Sequence, residues 1–106
     1  MRVLFDQGTP APLRQFLASH EVATAYERGW SALKNGELLQ VAEGAGFEVL
    51  VTTDSNLKHQ QNLTVRRIAI VVLSSTSWPR IRAAAQTVAR ALEGAVDGNY
   101  TEVRIP

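Results

Sequence analysis

Short apolar runs rich in β-branched residues alternate along this chain with segments that carry apolar residues at helical spacing. The strongest strand candidates are residues 3–5, 47–51 and 68–73. The last of these runs is the most apolar and β-branched, which predicts a central strand that is buried on both faces. Shorter strands are expected at 22–25 and, with alternating polarity, at an edge of the sheet at 100–105.

Helical segments are predicted between these strands. Thr9 followed by Pro10 is typical of a helix start, with a capping residue and a proline in the first turn. Asn35 is expected to cap a second helix, and Ser77 a third helix that continues to Gly94. Strands that alternate with helices predict a parallel sheet covered on both faces, in a single domain over residues 1–106.

Composition excludes several classes of chemistry. The 106 residues include no cysteine, which excludes disulfides, cysteine-ligated zinc and thiol catalysis. The apolar run at the amino terminus is short and no stretch approaches the length of a membrane span, so a cytoplasmic location is expected. The formal net charge of +1 is too small to attract nucleic acid by itself. Any RNA binding would therefore need a local basic patch or a metal ion.

Acidic residues stand where the predicted strands end. Asp6 directly follows the first apolar run, and Asp54 follows the second run after two threonines. Ligands of open α/β sheets bind beyond the carboxyl ends of the strands, where both acids are expected. Glu37 stands at the start of the second helix, and helix starts that follow a strand lie at that same edge. The three carboxylates are therefore expected to converge in space.

A group of carboxylates suits a hard divalent cation. Mg²⁺ or Mn²⁺ takes oxygen ligands and keeps several waters, so two or three carboxylates suffice when a substrate phosphate completes the shell. The cation lowers the pKa of a bound water and neutralises charge on the phosphate, so hydrolysis needs no nucleophilic side chain. The pattern therefore favours metal-dependent cleavage of a phosphodiester.

Each acid also has a purely structural interpretation. Asp6 can bond within the turn before Pro10, although Thr9 is expected to cap that helix. Glu37 in a first helical turn interacts favourably with the helix dipole whatever its role. Asp54 can form a local turn, as aspartates in such sequences often do. The joint placement of the three acids, rather than any one of them, favours the catalytic interpretation.

Several segments share their order and spacing with a known family. They are LFDQGTP at 4–10, GW at 29–30, NGELL at 35–39 and VTTDSNL at 51–57. The segments QQNL at 60–63, the apolar run at 68–73 and WP at 78–79 follow the same pattern. Over nearly its whole length the chain thus resembles the PIN-like family of small bacterial proteins of domain-of-unknown-function type, which are predicted nucleases of predicted toxin–antitoxin systems.

The resemblance implies a three-layer α/β/α sandwich with a mainly parallel central sheet. It also implies a metal-dependent endoribonuclease that hydrolyses RNA with a metal-activated water. Asp6, Glu37 and Asp54 match acidic positions of the family pattern, and are implied as the catalytic ligands of Mg²⁺ or Mn²⁺. RNA and a cognate antitoxin protein are the implied partners, and the sequence leaves a homodimer open.

Two positions depart from the family pattern. Gln7 and Asn56 stand where many relatives have a further acid, which is expected to weaken metal affinity. Asn56 is still able to ligate a metal through its carbonyl oxygen, with less charge. Lys58, His59 and Arg67 are the candidate contacts for substrate phosphates, with solvated surface residues as the alternative.

Two other functions compete with the nuclease. The first is a PIN-like interaction domain with weak or lost catalysis, as the amides at Gln7 and Asn56 suggest. The second is a phosphoacceptor receiver domain, with Asp54 as acceptor and Ser74 as the assisting hydroxyl. A receiver needs a second acid beside Asp6 and a lysine after the last strand, and the chain provides neither.

Overall fold

The computed structural model describes residues 1–55, 57 and 66–106. Within these ranges one five-stranded sheet has the order β2-β1-β3-β4-β5, and every neighbouring pair of strands is parallel. The strands are β1 (Arg2–Phe5), β2 (Glu21–Thr24), β3 (Val49–Thr52), β4 (Ala69–Leu73) and β5 (Tyr100–Val103). The predicted α/β class and parallel sheet are confirmed, and β5 lies at an edge.

Helices connect the strands as the alternation predicts. A 3₁₀ helix (Ala11–Phe16) follows β1, helix α1 (Asn35–Gly44) precedes β3, and helices α2 (Trp78–Ala83) and α3 (Ala85–Glu93) lie between β4 and β5. The helix expected from Ser77 to Gly94 is thus divided at Ala84. In the described part of the chain, no helix has both the length and the apolar character needed to cross a membrane.

Buried residues on the two faces of the sheet form separate hydrophobic clusters in the described ranges. Successive side chains of a strand point to opposite faces, so Val3 and Phe5 of β1 belong to one cluster and Leu4 belongs to the other. Helices α2 and α3 contribute to the cluster of Val3, whereas α1 contributes Leu39 to the cluster of Leu4. Burial on both faces explains why the central strands are continuously apolar.

The centre of the sheet has the geometry of a ligand site. From β1 the chain passes to β2 on one side, and β3 then pairs with β1 on the other side, with Phe5 opposite Val51. Strand order therefore changes direction at β1. In open α/β sheets, the crevice at the carboxyl ends of such strands is where ligands bind. The residues that follow β1 and β3 occupy this position.

Candidate functional site

Asp6 lies at the carboxyl end of β1 and is held by a set of hydrogen bonds. Its backbone N–H donates to the Val51 carbonyl oxygen at 3.0 Å, which extends the pairing of β1 with β3. The carboxylate atom Oδ1 accepts from the Gly8 N–H at 3.1 Å, and Oδ2 accepts from the Thr52 hydroxyl. The carboxylate is therefore fixed both within its own turn and across the two neighbouring strands.

Thr9 does not cap the helix that follows it, contrary to prediction. Its hydroxyl is buried, 3.0 Å from Asp6 Oδ1 and 2.9 Å from the Val51 carbonyl oxygen. Pro10 stands at the helix cap position instead. The threonine hydroxyl is thus used to hold the turn after β1 against β3, and Asp6 takes part in the same turn.

Asp54 lies beyond the carboxyl end of β3 and is linked to Asp6 through Thr52. The Thr52 hydroxyl donates to Asp6 Oδ2 and accepts from the Asp54 N–H at 3.0 Å. Thr52 itself is only 1% exposed, while Asp6 and Asp54 are partly exposed. The Asp54 atom Oδ2 accepts from the side-chain amide of Asn35 at 2.6 Å. Asn35, Asp54, Thr52 and Asp6 therefore form a continuous hydrogen-bonded chain.

Glu37 is not brought into one group with the other two acids. Its side chain is exposed in the first turn of α1, where it accepts from the Lys34 N–H at 3.4 Å. Among the described residues, no three acid, histidine or cysteine side chains are grouped so that they can hold a metal ion. The structure thus joins Asp6 and Asp54 through shared partners, and leaves Glu37 at the start of its helix.

The environment of Asp6 changes its proton affinity. Burial raises the pKa of its carboxyl above the ordinary value, because the charged form loses water, although bonds from Thr52, Thr9 and Gly8 act in the opposite direction. The partly buried Asp6 carboxyl therefore binds a proton more readily than a carboxyl in water.

Of the predicted substrate contacts, Arg67 is within the described residues. Lys58 and His59 lie outside them, as does Asn56, which was predicted as a metal ligand. Arg67 precedes β4, so it lies at the amino-terminal edge of the sheet, opposite Asp6, where its backbone N–H donates to Glu43 Oε2 at 3.1 Å. Arg67 therefore does not contribute a phosphate contact beside Asp6.

Ser74 also differs from what the receiver interpretation requires. It follows β4 directly, yet its hydroxyl accepts from the Ile105 N–H at 2.7 Å. This bond ties the end of β4 to the segment after β5. The hydroxyl thus stabilises the edge of the sheet, and is used there instead of facing an acceptor at Asp54.

Two partners of the acids were not predicted as site residues. Asn35 was expected to cap α1, but it is the first helical residue and its amide binds Asp54. Thr52 was noted only as one of the two threonines between the predicted strand and Asp54. The sequence signal for Thr52 is a hydroxyl residue that ends an apolar strand two positions before an acid. At that position its hydroxyl faces the end of the neighbouring strand.

Asp6 also borders two openings on the surface. A cavity of about 120 Å³ lies between Asp6 and the start of α1, and Trp30, Asn35 and Leu38 line it. A larger cleft of about 780 Å³ lies on the other side, between the turn after β1 and the loop after β2. Asp6 lines both openings and is partly exposed to solvent.

Comparisons with models of known protein families, with curated proteins and with solved structures found no match. The PIN-like resemblance therefore depends on the motifs of the sequence, and the site has to be interpreted from its own geometry.

Proposed function

We propose that this chain is a metal-dependent ribonuclease of the PIN-like type, and the toxin component of a toxin–antitoxin pair. The observation that carries this function is the linked pair of Asp6 and Asp54 at the carboxyl ends of two adjacent parallel strands. Both acids are partly buried, and the carboxyl ends of the strands are where ligands of open α/β sheets bind.

The donor set suits a hard cation. Asp6 and Asp54 would hold it, because Mg²⁺ often binds through one or two carboxylates while water and substrate phosphate complete the shell. When bound, such a cation neutralises charge on the phosphodiester and lowers the pKa of water. With two carboxylates instead of three, we expect weak binding of the free ion and tighter binding in the presence of substrate.

The residues around the acids have positioning roles in this site. Thr52 holds the Asp6 carboxylate and the Asp54 backbone through one hydroxyl, so the two acids move as a unit. Asn35 donates to one Asp54 oxygen, which restricts the orientation of that carboxylate. Glu37 has a structural role in this proposal: it lies in the first turn of α1, where an acid interacts favourably with the helix dipole.

RNA as substrate and an antitoxin as partner come from the family resemblance. The net charge of +1 leaves recognition to local contacts. A toxin also needs inhibition in its host, which a partner that covers Asp6 and the adjoining cleft would provide.

A cleavage assay tests this function. Purified chain is incubated with single-stranded RNA and Mn²⁺, with and without EDTA, beside Asp6→Asn and Asp54→Asn variants. Asp97→Asn is the matched control, because it is an exposed aspartate that lines a pocket at the opposite edge. We expect cleavage that EDTA abolishes and that is lost in the Asp6 and Asp54 variants only. Full activity in EDTA would contradict the metal mechanism.

A second function is favoured by the position of Glu37. Because the described residues contain no three-carboxylate group, a PIN-like interaction domain without catalysis is the competing proposal. Such a domain binds its protein partner while Mn²⁺ has no effect on its stability. A thermal melt with and without Mn²⁺ separates the two functions, since only a domain that binds the ion is stabilised by it.

A further inference from the structure

The cleft beside Asp6 has a size and position that suit a ligand. Its volume of about 780 Å³ is within the range of small-molecule sites, which is on the order of 300–1,000 Å³. Asp6 lies on its wall, so the cleft adjoins one of the two linked acids. Tyr26, Pro10, Pro12, Gln7 and Gln15 contribute to the remaining walls.

An exposed aromatic residue lines this cleft. Tyr26 is 79% exposed, although large aromatic side chains normally bury their area. Its backbone carbonyl accepts from the Gly29 N–H in the turn, so the fold uses the backbone of Tyr26 and leaves the ring in solvent. An accessible ring of this kind provides a flat surface on which a nucleobase stacks.

The charges of the cleft largely cancel. Arg14 forms a two-pronged pair with Glu27, at 2.6 Å and 3.1 Å, and the guanidinium is therefore already neutralised. The remaining polar groups include the side-chain amides of Gln7 and Gln15, which both donate and accept hydrogen bonds. Neutral donors and acceptors beside prolines and an aromatic ring suit a flat, uncharged heterocycle better than a phosphate.

We propose that this cleft binds one nucleobase of a single-stranded RNA, stacked on Tyr26, next to the phosphodiester that faces Asp6. This inference rests on the proposed nuclease function and adds the place where substrate is held. The amides of Gln7 and Gln15 contact the edge of the base, while the backbone of the RNA passes Asp6.

Binding of a fluorescent oligonucleotide tests the cleft separately from catalysis. Short single-stranded oligoribonucleotides of mixed composition, each with a central 2-aminopurine, are titrated with the protein in Ca²⁺, which can neutralise the phosphate beside Asp6, and in EDTA. The variants are Tyr26→Ala and, as the matched control, Tyr26→Phe, which keeps the ring. Both changes are at an exposed side chain, so the fold is expected to be unchanged.

We expect 2-aminopurine fluorescence to be quenched on binding, because the base stacks on the ring. Tyr26→Ala should raise the Kd about tenfold and abolish the quenching, as loss of one stacking contact does. Tyr26→Phe should retain the quenching and bind within about twofold of the parent chain, since both rings stack. Equal binding and quenching by Tyr26→Ala would overturn the inference, as would a failure of the parent chain to bind any of the oligonucleotides.

The outcomes also separate this inference from the nuclease function. If binding depends on Tyr26 but no Mn²⁺-dependent cleavage is observed, the nucleobase site is supported and the nuclease function is contradicted. If cleavage is observed while Tyr26→Ala binds like the parent chain, the nuclease function is supported and the nucleobase site is contradicted. If the parent chain binds only a protein partner, the cleft is a protein contact and the nucleobase inference is wrong.

Discussion

Replacement of Thr52 by valine removes the hydroxyl that links the two acids, with almost no change of shape. Thr52 is 1% exposed at the end of β3, so no water is available to replace the hydroxyl. In the valine variant the Asp6 carboxylate loses a donor and the Asp54 N–H loses its acceptor. We therefore expect a loss of stability larger than the small change in volume would cause.

The magnitude follows from the two lost hydrogen bonds. A hydrogen bond to a charged group contributes about 1.5–3 kcal/mol, and a neutral bond about 1 kcal/mol. The loss of both bonds in Thr52→Val should lower the free energy of unfolding by about 2–4 kcal/mol. For a domain of this size, that corresponds to a shift of about 1–2 M in the urea midpoint.

Urea unfolding of Thr52→Val and Thr52→Ser provides the assay. Serine keeps the hydroxyl and removes one methyl group, which costs about 1 kcal/mol. Because burial raises the folded pKa of Asp6, its ionisation destabilises the fold as pH rises above the ordinary value of 3.8. Valine removes a donor that favours the charged form, so its cost should be larger at neutral pH than near pH 3.8.

The relative stabilities decide whether this reasoning is correct. If Thr52→Val is as stable as the parent chain, or more stable than Thr52→Ser, the hydroxyl does not link the acids. A cost that is the same at both pH values would show that the loss comes from packing and not from the Asp6 carboxylate.

Other parts of the fold give further expectations, each measured by urea unfolding. Leu39→Ala should cost about 2–5 kcal/mol because Leu39 is fully buried, while Val96→Ala at an exposed site should cost little. Gly98 has φ +75 and a Cβ there would lie 3.0 Å from a carbonyl oxygen, so Gly98→Ala should cost about 1–2 kcal/mol. The bond from Arg14, together with the bond from the Thr24 N–H, lowers the Glu27 pKa from 4.5 to about 2. This pair stabilises the fold above pH 4.5, and its contribution should disappear as pH falls toward 2. The Glu27→Gln variant lacks the pair, so its stability should not show this part of the pH dependence.

The strands were predictable because burial on both faces requires continuous apolar runs. The continuous apolar run at 68–73 is typical of a strand buried on both faces, and β4 is found at 69–73. Helix boundaries were less predictable. Ser77 stands at the start of a helix as expected, although its side chain makes no capping hydrogen bond. The break at Ala84 depends on how α2 and α3 pack on the sheet, which no local signal in the chain contains.

The candidate site was predictable only in part. Asp6 and Asp54 follow strands, and strand ends of a parallel sheet meet at one edge whatever the details of packing. Glu37 is on a helix, so its direction depends on the rotation of α1 about its axis, and a residue near a helix start also finds local backbone partners. The Asn35 side chain was able either to cap α1 or to bond to a residue distant in the chain. That it binds Asp54 depends on the distance between α1 and β3, which the sequence does not give.

Calorimetric titration with Mn²⁺ tests the linked acids most directly. The parent chain, Asp6→Asn, Asp54→Asn and the Asp97→Asn control are titrated under the same conditions. If Asp6 and Asp54 hold one ion, the parent chain and Asp97→Asn bind it, and each of the other two variants loses binding. Binding that survives in either Asp6→Asn or Asp54→Asn, or is absent from the parent chain, would contradict the account.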